Sequence, residues 1–293
     1  MSIDVPERTD LEQVRERWRA AVAGVLAKST GKDPAELGDS PERLLETPTY
    51  DGFAIRALYT AFDELPEPPL PGEWPYVRGG DALRDITMGW KVAEAFPPAA
   101  SVTPGDANAA VLDALTDGVS ALVLRVGEPR ELAALLSGVY LDLAPVILDA
   151  GARFAEAADA LLALVDGLDA PRRAAVSIDL GADPLTAALG GRAAPPLEQV
   201  LAVAARVAGY PGVRAITVDG PAFHNRGANA SWELAGSLAA AVAYLRALTG
   251  AGMSVGDALR RISFRLAADD NQFLTIAKMR AARQLWARVA EVV

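Results

Sequence analysis

The chain has 293 residues, of which 51% are hydrophobic, 28 are basic and 38 are acidic, so its formal net charge is −10. This length predicts one large domain or two small ones, and the hydrophobic fraction suffices for a sizeable core. The excess of acidic over basic residues argues against nucleic acids and anionic membranes as partners, because both bind clusters of Lys and Arg.

The sequence contains no cysteine and one histidine, His224. Disulfides, thiolate nucleophiles and zinc–thiolate sites are therefore excluded, and so is a metal site that needs several imidazoles. The first residues are charged and lack the apolar core of a secretory signal, and no run of 18 or more uncharged apolar residues occurs. We therefore expect a cytoplasmic, soluble protein without a metal site built from cysteine or several histidines.

The first 87 residues predict a helical segment over 1–47 and an extended arm over 48–87. Apolar residues recur at helical spacing over 7–30, and Pro34 and Pro41 each follow a residue that is suited to capping a short helix. The arm is dense in Pro, Gly and aromatic residues and has no helical period. Flexible linkers are poor in aromatics, so we expect an arm whose aromatic side chains are buried against a surface.

Over 88–293, short apolar runs alternate with helical runs. Such nearly continuous apolar strands are typical of a parallel sheet that is covered on both faces. The predicted strands are 90–96, 120–126, 144–149, 174–180, 213–219 and 262–267. The predicted helices are 104–118, 128–138, 152–166, 196–209, 228–250, 255–261 and 271–293.

Two α/β architectures fit this alternation, a doubly wound sheet and a (β/α)8 barrel of the TIM type. No G-x-G-x-x-G motif follows the first strand, and the pair Gly190-Gly191 predicts a turn, so a dinucleotide-binding sheet is disfavoured. We favour the barrel. Because a complete barrel needs eight βα units and we count about six, we expect an incomplete one.

Functional side chains in parallel α/β folds follow the carboxyl ends of the strands. Asp149, Asp179 and Asp219 lie at or near such ends; they predict helix caps, with a divalent-cation cluster as the alternative. His224 follows the fifth strand in a loop, where it predicts a general acid or a hydrogen-bond donor to a substrate carbonyl, or else a packing role. We expect the amphipathic, basic helix 271–293 to cover the sheet.

Three blocks of the sequence resemble the methylmalonyl-CoA mutase family. In the arm, ALYT and PGEWPYVRGG are similar to the family's PLYT and P-G-x-x-P-[YF]-x-R-G elements. The segment DGPAFHNRGANASWELA is similar to its G-Y-H-x-x-x-x-G-A…E-L-A block, and RRISF with IAKMRAARQLW is similar to its last block. Order and spacing agree over 48–293, and the N-terminal residues resemble the small, non-catalytic subunit of the bacterial heterodimeric enzymes.

The resemblance implies an arm, a (β/α)8 barrel and a cobalamin-binding domain, in an isomerase that interconverts methylmalonyl-CoA and succinyl-CoA through adenosylcobalamin radical chemistry. By position, His224 matches the family histidine that hydrogen-bonds the substrate thioester carbonyl. Arg261 and Ser263 match the R-x-S of the substrate-binding block.

Several departures from the family pattern point to a subunit without catalysis. No T-M-Y follows Arg78-Gly79, the segment after the fourth strand has few polar groups, and no D-x-H-x-x-G occurs. The resemblance therefore implies that the cobalamin-binding domain is absent from these residues. It also implies that adenosylcobalamin is bound by the partner chain and that His224 is a relic.

We thus expect a structural small subunit that stabilises a large, catalytic subunit in a heterodimer. Two alternatives stay open, namely an enzyme that binds acyl-CoA in its own right through His224, and a degenerate barrel that acts as a scaffold. The missing strands predict either a fragment of a longer small subunit or a short homologue that depends on its partner.

Overall fold

The computed structural model describes residues 8–84, 86–87, 89–97 and 103–293. The chain forms two compact units, Met1–Glu67 and Pro68–Val293. The predicted division into a helical segment, an arm and a partial barrel stays a prediction. Residues 1–7, with which the predicted helical segment begins, lie outside the described residues, as do 98–102 in the segment after the first predicted strand.

The N-terminal unit opens with helix α1 (Arg8–Thr30), as predicted. Two 3-10 helices follow, Pro34–Leu37 and Pro41–Leu45, and each begins with the proline expected there. At the first, the Asp33 carboxylate accepts a hydrogen bond from a backbone N–H in a complete capping box. At the second, Ser40 makes no such bond, so proline geometry alone marks that helix start.

The arm contains a short antiparallel pair, β1 (Thr47–Pro48) and β2 (Ala54–Ile55), and a 3-10 turn at Ala61–Asp63. Its aromatic side chains are not buried as expected, because Tyr50 is 97% exposed and Trp74 is 53% exposed. The expectation of burial is therefore wrong for these two rings.

The second unit is built on a six-stranded parallel sheet in which each strand pairs with the next one along the chain. A doubly wound sheet reverses its strand order at a switch point, whereas a barrel adds strands in one direction. The unbroken order therefore confirms a partial (β/α) barrel with all six predicted strands. They are β3 (Ala93–Phe96), β4 (Ala121–Arg125), β5 (Val146–Asp149), β6 (Ile178–Ala182), β7 (Val213–Asp219) and β8 (Ile262–Arg265).

Helices follow the strands, and every predicted helical run contains one. Two short helices, α5 (Ala170–Ala175) and α7 (Pro221–His224), lie outside the predicted helical runs, because four to six residues are too few to show a helical period. No helix within the described residues combines the length and the apolar run that a bilayer crossing requires. The helices are α2 (Pro104–Thr116), α3 (Leu132–Leu135), α4 (Phe154–Asp166), α5 (Ala170–Ala175), α6 (Leu197–Arg206), α7 (Pro221–His224), α8 (Ala230–Gly250), α9 (Val255–Arg260) and α10 (Gln272–Val292).

Buried and half-buried residues alternate along the central strands. In β5, Val146 and Leu148 are buried in the core, whereas Ile147 and Asp149 are half-buried. The helices thus cover one face of the sheet, and the expectation of two covered faces is wrong for the described residues. The other face carries polar groups such as Ser263, which need water or hydrogen-bond partners.

Candidate functional site

The carboxyl ends of the strands are joined by arginine–aspartate pairs. Arg192, in the segment after β6, places its Nη2 2.6 Å from the Asp219 carboxylate and its Nη1 3.5 Å from that of Asp149. The second oxygen of Asp219 accepts a hydrogen bond from Arg265 Nε at 3.0 Å. The aspartates that end β5 and β7 are therefore neutralised by arginines of the same chain.

The preferred interpretation of the three aspartates as helix caps is wrong. Gly220 is the N-cap of α7 and that helix has no side-chain cap, while the carboxylate of Asp179 pairs with Arg214. Among the described residues, no group of three His, Asp or Glu side chains is placed to hold a metal ion. The strand ends thus carry ion pairs in place of both caps and a cation cluster.

A buried carboxylate, Asp183, holds the segment after β6 in place. Its Oδ1 accepts a hydrogen bond from the Tyr244 hydroxyl at 2.5 Å, and its Oδ2 accepts one from the Asp219 N–H at 2.8 Å and another from the Thr186 hydroxyl. The Tyr244 oxygen in turn accepts from the Leu185 N–H at 2.8 Å. Sequence reasoning missed this cluster, although an acid just past a strand end was a visible signal.

The environment of Tyr244 changes its acidity. Burial raises the pKa of its phenol far above the ordinary value, and the negative charge and the hydrogen bond of Asp183 raise it further. Tyr244 therefore stays a neutral donor to Asp183 across the physiological pH range, and α8 is tied to the segment after β6.

The cavity among these strand-end groups is very small. It measures about 10 Å³, and its lining includes Asp149, Asp183 and Arg192. One water molecule needs roughly 10–15 Å³, whereas pockets for small organic ligands have roughly 300–1,000 Å³. This cavity therefore has room for about one water molecule and not for an acyl group.

His224 is the last residue of α7, so it follows β7 as predicted but ends a short helix instead of lying in a loop. Its imidazole is partly exposed, and Nδ1 lies 4.0 Å from Oε2 of the buried Glu233. Glu233 is held by Lys278 Nζ at 2.7 Å and by the Ala267 N–H, also at 2.7 Å. The predicted histidine thus borders a buried ion pair that the sequence did not reveal.

The two other predicted site residues lie apart. Ser263 Oγ is 2.9 Å from Thr217 Oγ1, on the half-open face of the sheet. Arg261 precedes β8, at the opposite end of the sheet from His224, and it is 1% exposed. Burial lowers the pKa of Arg261. Its Nη1 donates hydrogen bonds of 2.6–3.0 Å to the backbone carbonyls of Val207, Tyr210 and Val213.

The structure therefore does not bring His224, Arg261 and Ser263 together. The contacts of Arg261 favour a structural role, because its Nη1 serves three carbonyls at the amino-terminal end of β8. The substrate-binding roles of all three residues stay predictions.

The sequence pattern of the family described as methylmalonyl-CoA mutase matches residues 126–292, which is more than half of the chain. The match includes His224 and all of β7, β8 and α10. The chain belongs to the methylmalonyl-CoA mutase family. The resemblance seen in the three sequence blocks is thereby confirmed.

Similar proteins within the mutase family carry subunit names. A protein of Mycobacterium tuberculosis named probable methylmalonyl-CoA mutase small subunit is 71% identical over 100% of this chain and 48% of its own length. The methylmalonyl-CoA mutase small subunit of Streptomyces virginiae is 45% identical over 96% of this chain and 46% of its own length. The methylmalonyl-CoA mutase large subunit of the same organism is 27% identical over 94% of this chain and 40% of its own length. The chain spans about half the length of the curated relatives it matches.

Membership in this family implies that the enzyme uses cobalamin. The residues of this chain do not fit the cobalt-ligating site of the family. Its one imidazole, His224, lies beside Glu233, and the 293 residues contain no D-x-H-x-x-G. We therefore assign no cobalamin chemistry to the residues described.

Proposed function

We propose that the chain acts in the cytoplasm as the structural small subunit of an adenosylcobalamin-dependent methylmalonyl-CoA mutase, the isomerase that interconverts methylmalonyl-CoA and succinyl-CoA. Its role is to stabilise a large, catalytic subunit, and adenosylcobalamin is bound by that subunit. The names of the similar proteins support this proposal, since large and small subunits are both named for Streptomyces virginiae.

The observation that carries the proposal is the set of ion pairs that bridges the ends of β5 and β7. An enzyme of this fold binds its substrate where the strands end. Here Arg192 bridges Asp149 and Asp219 at that place, and the cavity among these groups measures about 10 Å³. A chain whose strand ends are filled by its own ion pairs supports a partner more readily than it binds an acyl thioester.

The exposed aromatics of the arm support a role in assembly. Tyr50, Phe53 and Tyr59 are each more than half exposed. Large rings contribute strongly to interfaces because each one buries extensive surface at a small entropic cost. An arm that presents several of them is suited to contact a second protein.

Co-expression with a large subunit tests the proposal. We expect the two chains to co-purify at equal stoichiometry, and we expect the large subunit to unfold at a higher temperature in the complex than alone. We also expect the complex assembled with His224→Ala to keep the mutase activity of the wild-type complex. Failure to co-purify would reject a subunit role.

Calorimetry separates this proposal from its alternatives. If the isolated chain binds acyl-CoA through His224, Arg261 and Ser263, succinyl-CoA should give saturable micromolar binding that His224→Ala abolishes. The structural subunit should give no saturable heat at that concentration. A scaffold unrelated to the mutase predicts neither acyl-CoA binding nor a complex with the large subunit.

A further inference from the structure

Helices α8 and α10 pack side by side next to the edge strand β8 and leave an apolar groove of about 220 Å³ between them. Aliphatic and aromatic side chains form most of its lining, and the Phe264 and Trp286 rings meet edge to face with 5.0 Å between their centroids. Its lining includes Leu238, Phe264, Met279, Arg283 and Trp286.

The groove has a basic side in an acidic protein. Arg283 lines the groove, and Arg280 lies three residues before it on α10. Neither pairs with a carboxylate in the described parts of the chain, whereas Arg288 pairs with Glu291. The chain as a whole carries a net charge of −10. Unpaired arginines next to an apolar groove are therefore complementary to an acidic segment.

We propose that this groove receives an acidic amphipathic helix of the large subunit. The proposal rests on the proposed function and names the surface through which it operates. Apolar side chains on one face of such a helix would contact Leu238, Met279 and Trp286, while its acidic residues face Arg280 and Arg283. A second copy of this chain is a poor occupant, because two copies of α10 would oppose arginine with arginine.

Charge reversal tests the electrostatic half of the proposal. Arg280→Glu combined with Arg283→Glu should weaken binding to the purified large subunit at least tenfold, measured as Kd by calorimetry. The matched control reverses two exposed arginines outside the groove and the arm, Arg17→Glu with Arg130→Glu, and should stay within twofold of the wild type. Binding by the wild type should weaken as salt is added, and the groove variant should lose most of that salt dependence. Equal affinities for the two double variants would overturn the proposal.

A conservative variant guards against misfolding. Arg280→Lys with Arg283→Lys keeps both charges and should bind within a few-fold of the wild type. Far-UV circular dichroism of each variant should match that of the wild type. If the lysine variant loses as much affinity as the glutamate variant, charge complementarity is rejected.

A photoreactive residue identifies the occupant. With p-benzoylphenylalanine in place of Leu238, irradiation of the complex should link the groove to an acidic helix of the large subunit, identified by mass spectrometry. A cross-link to a second copy of this chain, to another part of the same chain or to a non-acidic segment would overturn the proposal. If the wild-type chain forms no complex at all, the proposed function fails first. If the complex forms without involving the groove, only this inference fails.

Discussion

The Lys278 ammonium lies 2.7 Å from the Glu233 carboxylate, and both side chains are almost fully buried. The other carboxylate oxygen accepts a hydrogen bond from the Ala267 N–H. One ion pair thus joins α8, α10 and the segment that leaves β8. The two walls of the apolar groove are held together at this point.

Removing one partner should destabilise the fold strongly. In Lys278→Met, the buried Glu233 carboxylate loses its counter-charge, and we expect the free energy of unfolding to fall by about 3–5 kcal/mol in urea titrations. Removing both charges, with Glu233→Gln and Lys278→Met together, should restore much of the loss. Arg288→Met, which breaks an exposed pair with Glu291, should cost no more than about 1 kcal/mol. If Lys278→Met and Arg288→Met lower the free energy of unfolding by similar amounts, the importance of the buried Lys278–Glu233 pair is contradicted.

Tyr244 should make the protein sensitive to alkali. Its pKa is raised above 10.0 in the folded chain by burial and by Asp183. As the pH rises past about 10, the unfolded chain releases this proton while the folded chain retains it, so the free energy of unfolding falls. Tyr244→Phe should make the decline shallower in urea titrations between about pH 10 and about pH 11. Tyr140→Phe, an exposed ring, serves as the control. Parallel declines in the wild type and Tyr244→Phe would count against this account.

At acidic pH, the pair of Arg172 and Asp142 should contribute. Arg172 donates to Asp142 Oδ1 through Nε at 3.1 Å and Nη2 at 2.9 Å, and this hydrogen bonding lowers the pKa of Asp142 below 3.8. As the pH falls below about 4, the unfolded chain takes up this proton first, so stability is lost. Arg172→Gln should reduce that acid-induced loss when unfolding is followed by fluorescence. Arg130→Gln, which changes an exposed arginine, should leave it unchanged. An unchanged acid profile for Arg172→Gln would refute the prediction.

Gly181 in β6 should tolerate no side chain. Its φ is +76°, and an added Cβ would lie 1.9 Å from the Leu148 carbonyl oxygen in the neighbouring strand. Gly191 has a similar φ of +67° but open space around its Cα. We expect Gly191→Ala to cost about 1 kcal/mol for its backbone conformation alone. Gly181→Ala should lower the melting temperature several times as far as Gly191→Ala does. Equal decreases for the two variants would show that the close contact at Gly181 is relieved easily.

The elements of this fold are more predictable from the sequence than its side-chain network. The strands could be located because each is a short, nearly continuous apolar run, and His224 could be placed after β7 for the same reason. The helix α5 could not be located from the sequence, because its six residues, APRRAA, are too few to show a helical period. Buried contacts between distant residues could not be predicted either. Asp183 and Tyr244 are separated by 61 positions, and Glu233 and Lys278 by 45.

The aspartates show why local reasoning fails at the strand ends. A carboxylate before a turn is typical of a helix cap, and that preference acts over two or three residues. Asp219 instead accepts hydrogen bonds from Arg192 and Arg265, which lie 27 and 46 positions away. A carboxylate binds a charged guanidinium more strongly than a neutral backbone N–H, but only the folded sheet brings the arginines within reach.

The neighbour-to-neighbour order of β3 to β8 has a consequence for folding during synthesis on the ribosome. Each strand pairs with the strand translated just before it, so no part of the sheet waits for a distant segment to be synthesised. The sheet can therefore grow by one strand with each βα unit that leaves the exit tunnel. Among the six described strands β8 joins last, so the α8–α10 groove takes shape only after β3 to β7 are in place.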